Sequence, residues 1–88
     1  MKVVQNPELM LHELEGECML YDGTAKKVHV LNHSAQFIWD QCLAPVTPDE
    51  ISRRLQVQYE IDQEAARTHT TNTIRTFLDR AMVTEVGE

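Results

Sequence analysis

Apolar and polar positions follow a short-strand pattern over the first third of the chain and then recur at helical spacing. Leu9 to Leu14 (LMLHEL) and Glu17 to Asp22 (ECMLYD) are short apolar-rich runs separated by Glu15-Gly16. Lys27 to Leu31 (KVHVL) follows after Asp22-Gly23-Thr24. Glycine accepts positive φ, so both separators read as tight turns. In the third run Val28 and Val30 share one face and His29 takes the other. The three runs predict a three-stranded antiparallel meander.

Helical spacing begins at Asn32, a preferred N-cap because its side-chain oxygen accepts an unpaired N–H of the first turn. Ala35, Ile38, Trp39 and Cys42 follow as an apolar stripe, and Pro45 stops the helix. Thr47-Pro48-Asp49-Glu50 has capping-box spacing, with Pro48 where a missing N–H is harmless and two carboxylates at the positive end of the dipole. Ile51, Leu55 and Tyr59 (or Gln58) give the second helix its buried stripe. Asp62 caps a third, longer helix with Ala66, Ile74, Phe77, Leu78, Ala81 and Met82 at apolar positions. Its middle, Thr68 to Thr73 (THTTNT), has poor helix propensity, so tertiary packing must hold it. Val83 to Val86 reads as a short extended tail. The fold class expected is α+β: an N-terminal three-stranded antiparallel sheet followed by a three-helix, winged-helix-like bundle.

Composition narrows the function. With 88 residues, the chain suits a single domain, 1–88, and 42% hydrophobic content allows a small core. The 8 Lys+Arg against 14 Asp+Glu leave a net charge of −6, which opposes binding to nucleic acid phosphates or an anionic membrane. Cys18 and Cys42, without a CxxC, read as small buried hydrophobes of a reducing compartment. The N-terminus has no signal-peptide core and no apolar run approaches membrane-span length, so a cytoplasmic location is expected. His12, His29, His33 and His69 match no metal-ligand spacing, and no nucleophile–base pattern or Gly-rich phosphate loop is visible. Neither a cofactor nor a catalytic residue is expected, and the chain reads as a non-enzyme.

From Leu31-Asn32-His33-Ser34-Ala35-Gln36-Phe37-Ile38-Trp39 the sequence resembles the PqqD-like family, the peptide recognition elements of ribosomally made, modified peptides. Tyr21-Asp22-Gly23, Val28, Val30, Pro48-Asp49-Glu50-Ile51, Tyr59-Glu60-Ile61-Asp62 and Phe77-Leu78 extend the likeness over roughly Leu9 to Val86. The resemblance implies a winged-helix-like domain that binds the leader of a precursor peptide between its third strand and third helix. It also implies presentation to a separate modifying enzyme, often a radical S-adenosylmethionine protein.

The residues support such a site in a specific place. Strand addition needs an exposed sheet edge with free N–H and C=O groups and side-chain pockets beside it. Lys27, Val28, His29, Val30 and Leu31 supply the edge expected, and Lys27 and His29 discourage unwanted pairing. Thr71, Asn72, Arg75 and Asp79 offer polar partners from the third helix, Leu78 belongs to the same set, and Arg75 suits an acidic leader residue. A second copy of the chain is a further partner to consider. Two other readings compete. A winged-helix DNA-binding regulator would use the third helix, yet Arg67, Arg75 and Arg80 are balanced by Asp62, Glu64 and Asp79. A regulatory subunit would use the same edge to bind a folded partner.

Overall fold

The computed structural model describes residues 1–87. Five strands and three helices follow in the order β1 (Lys2–Gln5), β2 (Leu9–Leu14), β3 (Glu17–Asp22), β4 (Lys27–Leu31), α1 (His33–Gln41), α2 (Pro48–Tyr59), α3 (Gln63–Asp79) and β5 (Val83–Val86). Local capping fixes all three helix starts. Asn32 accepts from the Ala35 N–H at 2.8 Å and Asp62 from the Ala65 N–H at 2.7 Å. At α2 the capping box is complete: Thr47 Oγ1 accepts from the Glu50 N–H, and the Glu50 carboxylate accepts from the Thr47 N–H.

The fold is α+β with three helices in the expected order, but the strands form two sheets rather than one. β2, β3 and β4 make the antiparallel meander, in register Met10↔Tyr21↔Val28 and Leu11↔Leu20↔His29. β1, which the hydrophobic pattern did not reveal, pairs antiparallel with β5 in a separate two-stranded ribbon, Val3 opposite Glu85 and Val4 opposite Thr84. Val83 to Val86 is therefore a paired strand and not a free tail. Val3 also exchanges two backbone hydrogen bonds with Val46, at 2.8 and 3.0 Å, which ties the ribbon to the segment entering α2. Asn6 adds its N–H to the Met82 carbonyl and its Nδ2 to the Ala81 carbonyl.

The third helix is shorter than the apolar spacing implied. It ends at Asp79, and Ala81 takes a left-handed φ of 55°. That turn swings Met82, 1% exposed, off the helix and under Trp39, whose indole Nε1 donates to the Met82 carbonyl. Ala66, Thr70, Ile74 and Phe77 are the buried face of α3. They meet Ile38, Ile51 and Leu55 from the other helices, Val3 and Val83 from the ribbon, and Cys18, Leu20 and Leu31 from the meander in one core. Among the described residues, no helix is long and apolar enough to cross a membrane.

Candidate functional site

The hairpin turn between β2 and β3 decides which backbone groups the meander leaves free. Glu15 and Gly16 have φ of 52° and 81°, the double positive φ of a two-residue primed turn. In such a turn the flanking pair, Leu14 and Glu17, exchanges both hydrogen bonds, and pairs alternate from there. Met19 and Tyr21 thus bond toward β2, and Cys18, Leu20 and Asp22 bond toward β4. Their β4 partners are Leu31, His29 and Lys27. The N–H and C=O groups of Val28 and Val30 consequently point away from β3, along the sheet's outer edge. Among the described residues, no backbone hydrogen bond outside the ladders occupies them.

The same register sorts the side chains. Leu9, Cys18, Leu20 and Leu31 lie on the core-facing side with His29 and Lys27, whereas Met10, Met19, Tyr21, Val28 and Val30 share the outer side. Val28 is 56% and Val30 66% exposed, so neither contributes to the core.

Helix α3 runs beside this edge. At its N-terminal half His69 Nε2 lies 2.9 Å from Ser34 Oγ, just past the end of β4. At its other end Asp79, Arg80 and Ala81 form one wall of a cleft of about 570 Å³, opposite Lys27, Val28 and His29. α3 therefore runs antiparallel to β4, touching Ser34 of α1 through His69 at one end and facing the cleft at the other. Positions 69, 73, 76 and 80 fall on one helical stripe between those two anchors. From His69 to Arg80 the helix rises about 16 Å, and β4 spans about 13 Å, room for about five extended residues.

The expected site residues do not all converge. Lys27, Val28, His29 and Asp79 line the cleft together. Leu31 is buried, 7% exposed, and serves the core through its side chain. Val30 stands on the free edge next to it. Thr71, Arg75 and Leu78 lie on another side of α3, around a separate cavity of about 320 Å³ closed by Met1, Pro48 and Ile74, which Asp79 also borders. Asn72 borders a third depression with His69, Thr68 and Asp62. His69, Thr73, Thr76 and Arg80 are not among the site residues expected from the sequence. Their spacing of four, three and four residues was the available signal.

The Ser34 hydroxyl lies 3.1 Å from Asn32 Oδ1 and 2.9 Å from His69 Nε2, which ties the start of α1 to α3. Burial pushes the Cys42 thiol up to about 12, and burial aided by Glu13 and Asp40 raises that of Cys18, so both stay protonated at neutral pH. Among the described residues no cluster of three His, Cys, Asp or Glu side chains could hold a metal.

The chain matches the family Coenzyme PQQ synthesis protein D (PqqD) over residues 17–83. It belongs to the PqqD family. The matched span runs from the start of β3 to the start of β5 and so includes the β4 edge, α3 and the cleft between them. No curated protein sequence matches the chain. Two solved structures share the fold over 97% of it: a lasso peptide synthetase B1 complexed with the leader peptide, at 19% identity and TM-score 0.82, and TbiB1 in complex with the TbiA(beta) leader peptide, at 13% identity and TM-score 0.81. The chain covers 100% and 99% of those two proteins. β1 and β2 lie outside the matched span.

Proposed function

We propose that this PqqD-family protein is a non-catalytic module that holds the leader of a ribosomally made precursor peptide as an added strand on β4 and presents it to a separate modifying enzyme. The observation that carries this reading is the pair of outward-facing backbone units at Val28 and Val30, beside a cleft walled by α3. An edge strand in that state is a template for a further strand, with affinity from main-chain bonds and specificity from alternate side chains. Both structural neighbours were solved with leader peptides, which supports the same use of this fold here. The family resemblance points to a radical S-adenosylmethionine protein, or another tailoring enzyme of such peptides, as that enzyme. A DNA-reading role finds no comparable support: the net charge is −6, and α3 contributes its Arg80 to the cleft and its Arg75 to a different cavity, not to one basic face.

The test is a titration of a labelled candidate leader peptide, followed by backbone amide shifts. Shifts are expected at Val28 and Val30 and along His69, Thr73, Thr76 and Arg80. Saturation without movement of the Val28 and Val30 amides would place the peptide elsewhere and end the strand-addition reading.

A further inference from the structure

Resting on that reading, we infer that the groove selects a leader segment with two apolar residues at alternate positions and an acidic residue at the Lys27 end. The register of β4 dictates the alternation. A strand hydrogen-bonded to Val28 and Val30 places the residues opposite them on the outer face, where Met10–Tyr21–Val28 and Met19–Val30 already form apolar rows. Cross-strand pairing with a β-branched neighbour favours apolar and aromatic side chains there. The intervening residues point to the other face, into the cleft under α3.

At the Lys27 end, that inward position meets cations from both walls, Lys27 of β4 and Arg80 of α3, with His29 next to Lys27. Among the described residues the one ion pair is Arg54–Glu50, at 3.9 Å, so neither Lys27 nor Arg80 has a carboxylate within ion-pairing distance. Two acidic residues also border the cleft, Asp22 opposite Lys27 across the β3–β4 ladder and Asp79 beside Arg80, neither within 4.0 Å of either cation. Asp22 Oδ1 is committed to the Thr24 and Ala25 N–H groups of the turn. Asp79 also borders the cavity on the far side of α3. Lys27 and Arg80 on facing walls, with no carboxylate within ion-pairing distance among the described residues, can each pair with a carboxylate brought by the ligand.

The probes are two fluorescein-labelled peptides, Gly-Ser-Thr-Val-Thr-Val-Glu-Ser-Gly and the same peptide with Lys in place of Glu, together with their reversed-order counterparts, which cover both strand directions. In one direction the Glu peptide is expected to bind about tenfold tighter than the Lys peptide, the scale of one charge-assisted contact. The difference should shrink as salt rises from about 50 mM to about 500 mM. In the Lys27→Glu, Arg80→Glu double variant the preference should invert. Equal binding of Glu and Lys peptides, with the Val28 and Val30 amides still shifting, overturns the acidic specificity and leaves strand addition standing. Binding of the Glu peptide without those shifts, or no binding by any probe at concentrations where the authentic leader moves them, overturns the inferred pattern. No shift of those amides with the leader itself overturns the parent reading along with this one.

Discussion

Four valines in strands show how differently the two sheets are used. Val3 in β1 and Val83 in β5 are 0% and 1% exposed, in a ribbon made from the first and last described strands. Val28 and Val30 in β4 are 56% and 66% exposed, at the edge of a meander made from neighbouring segments. The ribbon is bound on several sides: Val3 to Val46, Gln5 to Cys42 and Trp39, and Asn6 to Met82 and Ala81. Among the described residues, the β4 edge has no backbone partner beyond β3. β-Branched side chains suit strands in both places, so residue type alone does not separate a strand buried in the core from a strand with a free edge.

Proline substitutions within β4 give the largest contrast, because adjacent residues direct their N–H groups oppositely. His29→Pro removes an N–H from the ladder to Leu20 and should cost about 3 kcal/mol or more of stability. Val30→Pro removes an outward N–H and should stay within about 1 kcal/mol of the parent, while weakening leader binding at least about tenfold. Urea unfolding and peptide titration of both variants check this. A Val30→Pro protein that unfolds as readily as His29→Pro would mean the ladder parity is reversed.

Alanine substitutions test the valines directly. Val3→Ala and Val83→Ala should each cost about 2 kcal/mol through lost burial and a residual cavity. Val28→Ala and Val30→Ala should each change stability by less than about 0.5 kcal/mol. Denaturation midpoints with an unchanged urea dependence measure the four values on one scale. Similar losses at all four positions would dissolve the distinction between the sheets.

What was readable in the sequence follows the same division. The meander and the three helix starts depend on residues a few positions apart: Glu15-Gly16, Asp22-Gly23, Asn32, Thr47 with Glu50, and Asp62. Each of those signals is complete within one turn of chain. The ribbon is not, since Lys2 meets Val86 across nearly the whole sequence and no local turn announces the pairing. The groove was half legible. The alternation of KVHVL gives the edge and the exposed valines, but the wall it faces depends on the rotation of α3 about its axis. Thr70, buried at 1% exposure within a polar Thr-rich run, belongs to the core stripe and hides that rotation. Thr71, Arg75 and Leu78 were therefore grouped with β4, whereas the structure brings His69 and Arg80 to the two ends of its flank.

Thr47→Ala asks whether the ribbon and α2 act as one unit. Thr47 follows Val46, the residue that bridges to Val3, and its hydroxyl caps α2. Loss of the cap should cost about 1 kcal/mol. Hydrogen exchange should then quicken at the Val3 and Val46 amides and in the first turn of α2, with Val28 and Val30 unchanged. An equal response in β4 would show the two sheets opening together.

The smallest effect is the pH response of the same cap. Hydrogen bonds from the Thr47 side chain and then its backbone hold the Glu50 carboxyl below its ordinary 4.5, with further help from Arg54 and from Lys2 of β1. A carboxylate depressed in the folded state binds its proton more weakly there than in the unfolded chain. Its contribution is fully present above pH 4.5 and is lost as pH falls through the lower, folded value. The midpoint of thermal unfolding should therefore decline on acidification below about pH 4.5. Glu50→Gln should make that decline shallower, and Lys2→Gln should reduce it less, because Lys2 acts only through charge. A Lys2→Gln protein with the parent's full acid response would mean that the cap is insensitive to β1, and that the ribbon's hold on α2 runs through the Val3–Val46 bonds alone.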